Sequence, residues 1–260
     1  MRILILIFFS FFCFDGYTQK VSRENFHSTC INDDYEISFR FPKNYSANIS
    51  YNIIYVADGS LKLGKYILGD YGDWKATISD SCIIVAIAHK GDWHVKRQRD
   101  FIPSDEGGYS DDNFGKADDF YYFLKYELIP HINQKFVKQK STAFIGHSFS
   151  GLFCLYLLFR EDKLFDRHFA ISPSVWANDE ELLKIELAFY KRKKVLKANL
   201  FLQAGGLEIF NKVLFSTNEF YERVIKHYSG LQISYSKVNN ANHFSIIKPA
   251  VDKILALYSK

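Results

Sequence analysis

Chemistry in this sequence can be built around Ser148. It lies in Gly146-His147-Ser148-Phe149-Ser150-Gly151, at the hinge between the apolar run TAFIG (142–146) and a nearly unbroken apolar segment that continues to Phe159. A serine between glycines, with a strand before it and a helix after it, matches the nucleophile elbow. That turn forces the serine into a strained conformation that pushes its hydroxyl out of the sheet. The pentapeptide alone is common, and the strand-to-helix setting is what makes it specific. A tight turn whose serine merely caps the following helix is the plain alternative.

A serine hydroxyl attacks a carbonyl only when a base takes its proton, and the base needs a third group to hold it. Among the histidines after Ser148, His168 opens a strand and His227 lies within a helix, both ordinary structural positions. His243 sits in the loop VNNANHFS, between the last strand and the last helix, and is assigned as the base. For this elbow the chain order is serine, acid, histidine. Glu208, in QAGGLE (203–208), follows the strand NLFLQAG, where two glycines would let the backbone turn tightly. The competing reading is a solvated loop glutamate. Asp179, Glu180 and Glu181 are the rival acids, although acidic residues opening a helix already have a dipole reason to be there.

Elements of two kinds must position these groups. YEISFRF (35–41) alternates strictly, with Tyr35, Ile37, Phe39 and Phe41 on one face, as in a half-exposed antiparallel strand. The runs 52–58, 82–88, 142–146, 168–172 and 199–205 are almost continuously apolar, which fits strands covered on both faces. Helical spacing occurs at 117–129 and 217–228, and after the strand-like 231–238 a last helix is expected to open at Pro249. Buried strands alternating with helices after an antiparallel start predict a three-layer α/β sandwich with a mostly parallel central sheet. Reactive groups in such sheets collect at the carboxyl ends of the strands.

The chain has 260 residues, 48% of them hydrophobic, with no repeat or low-complexity tract, so a single domain is expected. Residues 1–18 carry Arg2 and then an apolar run too short to span a bilayer. They read as a secretory signal, with the domain over 19–260 and an exported, periplasmic or extracellular location. Retention of that segment as a membrane tether is the rival. A net charge of +4 points to neither nucleic acid nor a membrane surface as partner. Cys30, Cys82 and Cys154 lack metal-type spacing, and burial of Cys82 and Cys154 is the favoured reading.

The segments IIYVADG, Arg97-x-Arg99-Asp100-x-x-Pro103, GKADDFYYFLKYELIPHI (115–132), GHSFSGLF, ISPSVW (171–176), GGLE and Asn242-His243 occur in an order that resembles one family. The chain is similar to the α/β-hydrolase esterases of the enterochelin (ferric siderophore) esterase and "Putative esterase" group. The likeness runs from about 35 to 258. It implies the three-layer α/β-hydrolase fold and an oxyanion hole made by the backbone amides of Ser60 and Phe149, with Gly59 bare so that a ligand can approach. It further implies that Arg99 and Asp100 form an internal ion pair, that Arg97 and Arg99 are candidate substrate contacts, and that Trp176 could line an acyl or aromatic pocket. His147 would support the turn from beneath. One departure is Ser150, where the family has glycine, which adds a side chain where helix and strand come closest. The segment 89–103 is also unusually basic, and its Lys96, Arg97 and Arg99 read either as a cationic rim or as a solvated face.

The resulting expectation is a serine hydrolase that cleaves small-molecule carboxylic esters, of a siderophore or an acylated carbohydrate, through an acyl-enzyme. Ser148, His243 and Glu208 would act without cofactor or metal. The alternative is a catalytically silent binding protein with the same fold.

Overall fold

The computed structural model describes residues 21–72, 75–104, 114–136, 138–209 and 212–259, so the expected signal segment lies outside the described residues. The strands are β1 (Val21–Ser28), β2 (Asp33–Arg40), β3 (Tyr51–Val56), β4 (Cys82–His89), β5 (Gln139–His147), β6 (Arg167–Ile171), β7 (Val195–Gly205) and β8 (Ser229–Val238). They form one sheet in the order β1-β2-β4-β3-β5-β6-β7-β8. The β1–β2 and β2–β4 pairs are antiparallel, and β4–β3, β3–β5, β5–β6, β6–β7 and β7–β8 are parallel. This is the three-layer α/β-hydrolase fold.

Helices α1 (Lys62–Leu68) and α8 (Ile247–Ala256) cover one face of the sheet, over Ile54, Val56, Ile84, Ile145 and Ile171. Against the other face lie α2 (Trp93–Phe101), α3 (Ala117–Tyr122), α4 (Ile129–Lys135), α5 (Phe149–Tyr156), α6 (Ala177–Arg192) and α7 (Val213–His227). The second core holds Phe120, Phe123, Phe144, Phe153 and Phe220, all fully buried. Burying five such rings contributes on the order of 10 kcal/mol before conformational entropy is subtracted. No helix of the described residues is long and apolar enough to cross a membrane.

Several elements depart from expectation for identifiable reasons. β1 was not anticipated, because VSRENFHS alternates among mostly polar, half-exposed positions at the edge of the sheet. β2 is not half-exposed. Ser38 and Arg40 are 2% and 4% exposed, because α1 closes over that face and Arg40 donates to the carbonyl of Ile67. The helix expected at 117–129 continues to Lys135 through a π-helical stretch, Phe123–Leu128. The stretch lies just before Pro130, which has no N–H and whose ring obstructs an ordinary i→i−4 ladder. At α6, Asn178, Asp179 and Glu180 all have left-handed φ, so Asp179 and Glu180 precede the regular helix, and of the rival acids only Glu181 stands at its start, accepting from Asn178 Nδ2 (2.7 Å). The helix expected to open at Pro249 begins earlier, at Ile247. Cys82 and Cys154 are fully buried free thiols.

Candidate active site

The parallel strands β3, β5, β7 and β8 carry their carboxyl ends to one edge of the sheet, and Ser60, Ser148, Glu208 and His243 follow those ends in turn. Ser148 falls between β5 and α5 with φ 63° and ψ −120°, a conformation that costs a non-glycine residue energy and is held here by backbone bonds. Its N–H donates to Ile171 O (3.1 Å), and its carbonyl accepts from Leu152 N (2.9 Å) and Ser174 N (3.1 Å). Gly146 permits the turn. A Cβ there would stand 2.0 Å from the carbonyl oxygen of Ser150, inside any allowed contact. The point of closest approach is therefore Gly146 against the Ser150 backbone, whereas the Ser150 side chain leaves in another direction.

On the far side of the same edge, His243 Nδ1 lies 2.5 Å from Glu208 Oε1. Glu208 is 2% exposed, and its other oxygen accepts from Ser172 Oγ and from Gly205 N, each at 2.6 Å. Burial pushes this carboxyl up, but the bonds from His243, Ser172 and Gly205 outweigh it and hold the group below its ordinary value. The carboxylate thus places a proton on Nδ1 and leaves Nε2 as an acceptor. Gly205 and Gly206 are needed for closeness rather than for turning. Neither has left-handed φ, but Cβ atoms there would come within 2.4 Å of Ala241 O and 2.5 Å of Asn239 O. These contacts press the acid's loop against the histidine's loop.

His147 braces that second loop. Its Nε2–H donates to the carbonyl of His243 at 2.7 Å, and the two rings are 4.5 Å apart. Burial and the neighbouring His243 depress His147 to about 3, so it is neutral at physiological pH. Asn242 Oδ1 also accepts from Phe244 N (3.0 Å) and Ser245 N (2.9 Å), which fixes the turn after His243.

Ser148, His243, His147, Arg97 and Asp58 share a cleft of roughly 310 Å³ with Lys62, Trp93, His94 and Phe244. The Ser148 hydroxyl bonds to Ser174 Oγ (3.2 Å) and makes no direct hydrogen bond to His243. Ser60 and Phe149, the two expected oxyanion donors, each adjoin in sequence a residue that lines the cleft, Leu61 and Ser148. Phe149 N–H is the first of α5, where a helix has no internal acceptor to offer. Ser60 sits in a turn closed by Leu61 N to Asp58 O (2.9 Å) and tied to β4 by Gly59 N to Ile87 O (2.8 Å). A Cβ on Gly59 would lie 3.1–3.2 Å from Ile87 and Ala88 of β4, so tight packing on the sheet is a second reason for glycine there.

A family model described as "Putative esterase" matches residues 28–213. The chain belongs to this esterase family. Among its relatives is the siderophore triacetylfusarinine C esterase of Aspergillus fumigatus, 31% identical over 151 residues, which make up 55% of this chain and 51% of that protein. The siderophore enterobactin esterase of Emericella nidulans is 35% identical over 88 residues, 32% of this chain and 29% of the relative. The matches therefore span about half or less of these relatives. In fold, the chain resembles the BES protein from Bacillus cereus (TM-score 0.74, 24% identity, 95% of this chain and 99% of that one). It also resembles the siderophore hydrolase EstB from Aspergillus nidulans (TM-score 0.76, 20% identity, 95% and 96%).

Within this member of the esterase family, Lys96, Arg97 and Arg99 of the basic segment 89–103 are paired with carboxylates rather than left as free surface cations. Arg97 borders the cleft, yet its Nε and Nη2 are given to Asp58 Oδ1 (2.6 Å) and Oδ2 (2.9 Å). Arg99 does not line the cleft; it is held by Asp100 Oδ1 (2.6 Å), Asp33 Oδ2 (2.7 Å) and Tyr35 Oη (3.2 Å). Lys96 also reaches Asp33, at 2.7 Å. These three cations lie on α2, which turns Arg97 and Arg99 inward. Trp176 is 37% exposed, with its ring 6.4 Å from that of Phe149, and it is not among the residues lining the cleft. Sequence reasoning missed Ser174, Lys62, Trp93, His94 and Phe244. Ser174 lay within a recognised segment, ISPSVW, but nothing local there points to Ser148.

Proposed function

We propose that this chain is a serine carboxylic ester hydrolase that works through an acyl-enzyme. The observation that carries the reading is the His243 imidazole, held by Glu208 at 2.5 Å and bordering the same cleft as the strained Ser148. This chemistry requires the Ser148 hydroxyl to turn from Ser174 to His243 when substrate binds, since catalytic hydrogen bonds often tighten only in the substrate complex. Ser148 Oγ then adds to the ester carbonyl carbon while His243 Nε2 takes its proton. The carbonyl oxygen becomes an anion received by the amides of Ser60 and Phe149, each worth about 3 kcal/mol in the transition state. His243 returns the proton to the departing alcohol. Water repeats the sequence on the acyl-enzyme, releasing the acid and restoring Ser148.

Both relatives described above are named as siderophore esterases, and a siderophore or acylated carbohydrate ester is the proposed substrate class. Action outside the cytoplasm, after removal of residues 1–18, is part of the same proposal. The Ser148–Ser174 bond favours a second reading, a binding protein that no longer turns over. Hydrolysis of a short-chain p-nitrophenyl ester by the purified protein and by Ser148→Ala separates the two. The esterase reading expects turnover that the substitution abolishes, whereas equal rates in both proteins would remove Ser148 as the nucleophile.

A further inference from the structure

Ser150 occupies a position where the family pattern has glycine, and the structure gives its hydroxyl a specific task. The side chain is fully buried. Its Oγ accepts from His147 N (2.8 Å), and its proton reaches Asp58 Oδ2 (2.7 Å), with His147 O at 2.9 Å as a second acceptor. Asp58 is 3% exposed, has φ 61°, and is held on its other side by both nitrogens of Arg97. Arg97 Nη2 also approaches His147 O, at 3.4 Å.

The placement of these groups matters more than their number. Asp58 is the first residue of the turn that carries the Ser60 amide, since its carbonyl accepts from Leu61 N. Ser150 is in the first turn of α5, whose leading amide is that of Phe149. The Ser150–Asp58 hydrogen bond therefore joins the backbone piece bearing one amide to the piece bearing the other. Those pieces come from different strands, β3 and β5, and the bond runs between them.

We infer that Ser150, acting through Asp58, is a positioning residue that sets the separation of the Ser60 and Phe149 amides and so the fit of the oxyanion hole. The inference rests on the proposed esterase reading. Hydrogen bonds to an oxyanion act fully only when the donors are fixed before charge develops. Without the tie the turn at Asp58 keeps Arg97 and the β3–β5 ladder up to Ala57 N and Ile145 O, but loses its side-chain link to α5, and the two amides are held less closely. Ser150 itself does not line the cleft and makes no hydrogen bond to Glu208 or His243.

The test is steady-state hydrolysis of a p-nitrophenyl ester by full-length Ser150→Ala and Ser150→Gly, with thermal unfolding as the control for folding. Both variants are expected to lose about tenfold or more in kcat, part of the loss that follows removal of one oxyanion donor, with KM within about twofold and the pH midpoint of kcat unmoved. A purely structural role would lower the unfolding temperature and leave kcat of the folded fraction unchanged, which overturns the inference. So does a loss of kcat accompanied by a shifted pH midpoint, because that places the defect at the base. If Ser148→Ala is as active as the wild type, the esterase reading itself fails. If Ser148→Ala is inactive and folded Ser150→Ala keeps its kcat, only the role given to Ser150 fails.

Discussion

Glu208→Gln isolates the contribution of one charge, because the amide has nearly the same size as the carboxylate it replaces. Glu208 accepts three hydrogen bonds: from His243 through Oε1, and from Ser172 and Gly205 through Oε2. An amide can keep its oxygen toward His243 only by aiming its NH2 at the Gly205 N–H. Two donors would then meet in a buried site, at a cost of about 1–3 kcal/mol. The flipped amide avoids that conflict but donates to Nδ1, which moves the ring proton to Nε2 and leaves the cleft-facing nitrogen unable to accept from Ser148. Either setting also removes the negative charge beside the developing imidazolium, a charged hydrogen bond worth about 1.5–3 kcal/mol. At about 1.4 kcal/mol per tenfold, the combined effect is a loss in kcat of about a hundredfold to ten-thousandfold, with KM little changed. Initial rates on a p-nitrophenyl ester near neutral pH measure it, with His243→Ala in parallel. His243→Ala is expected to lose more, because it removes the proton carrier itself. Retention of more than about a third of wild-type kcat by Glu208→Gln would refute the reasoning, as would a larger loss than in His243→Ala.

The same carboxyl links stability to pH. Its folded value is held below its unfolded one, so its contribution is present above the ordinary carboxylate range and is lost as pH falls through the folded value. In urea unfolding, the stability gap between wild type and Glu208→Gln should narrow on acidification; a widening gap would contradict the sign. Arg97→Ala should destabilise the fold by about 3–5 kcal/mol, since it strips the main cation from a buried Asp58. Denaturant midpoints check this, and a loss under about 1 kcal/mol would mean that the pair is dispensable.

The parts of the fold legible in the sequence were those in which burial writes a continuous signal. CIIVAIA and TAFIG are buried on both faces and are strands in the structure. α2 was not legible because Arg97 and Arg99 sit inside, neutralised by Asp58, Asp33 and Asp100, so an inward face reads as a charged surface. α1 is only seven residues long and contains Gly64, a poor helix former whose bare Cα lets the helix pack on Gly59. At the site, Ser148 and His243 could be singled out because glycine bracketing and a late loop are local features. Ser174 and the cleft residues Lys62, Trp93, His94 and Phe244 could not, because they meet only through the order of strands in the sheet. The two glycines beside Glu208 were visible as glycines, but their reason, contact with Ala241 and Asn239, is tertiary.

Covalent capture tests the central claim most directly. A short-chain p-nitrophenyl ester is mixed with the full chain, the reaction is quenched in acid within one turnover, and the peptides are weighed by mass spectrometry. A burst of nitrophenolate is expected together with one acyl group on the peptide that contains Ser148. Turnover with the acyl group on another residue, or with no acylated peptide and no burst, would contradict the account.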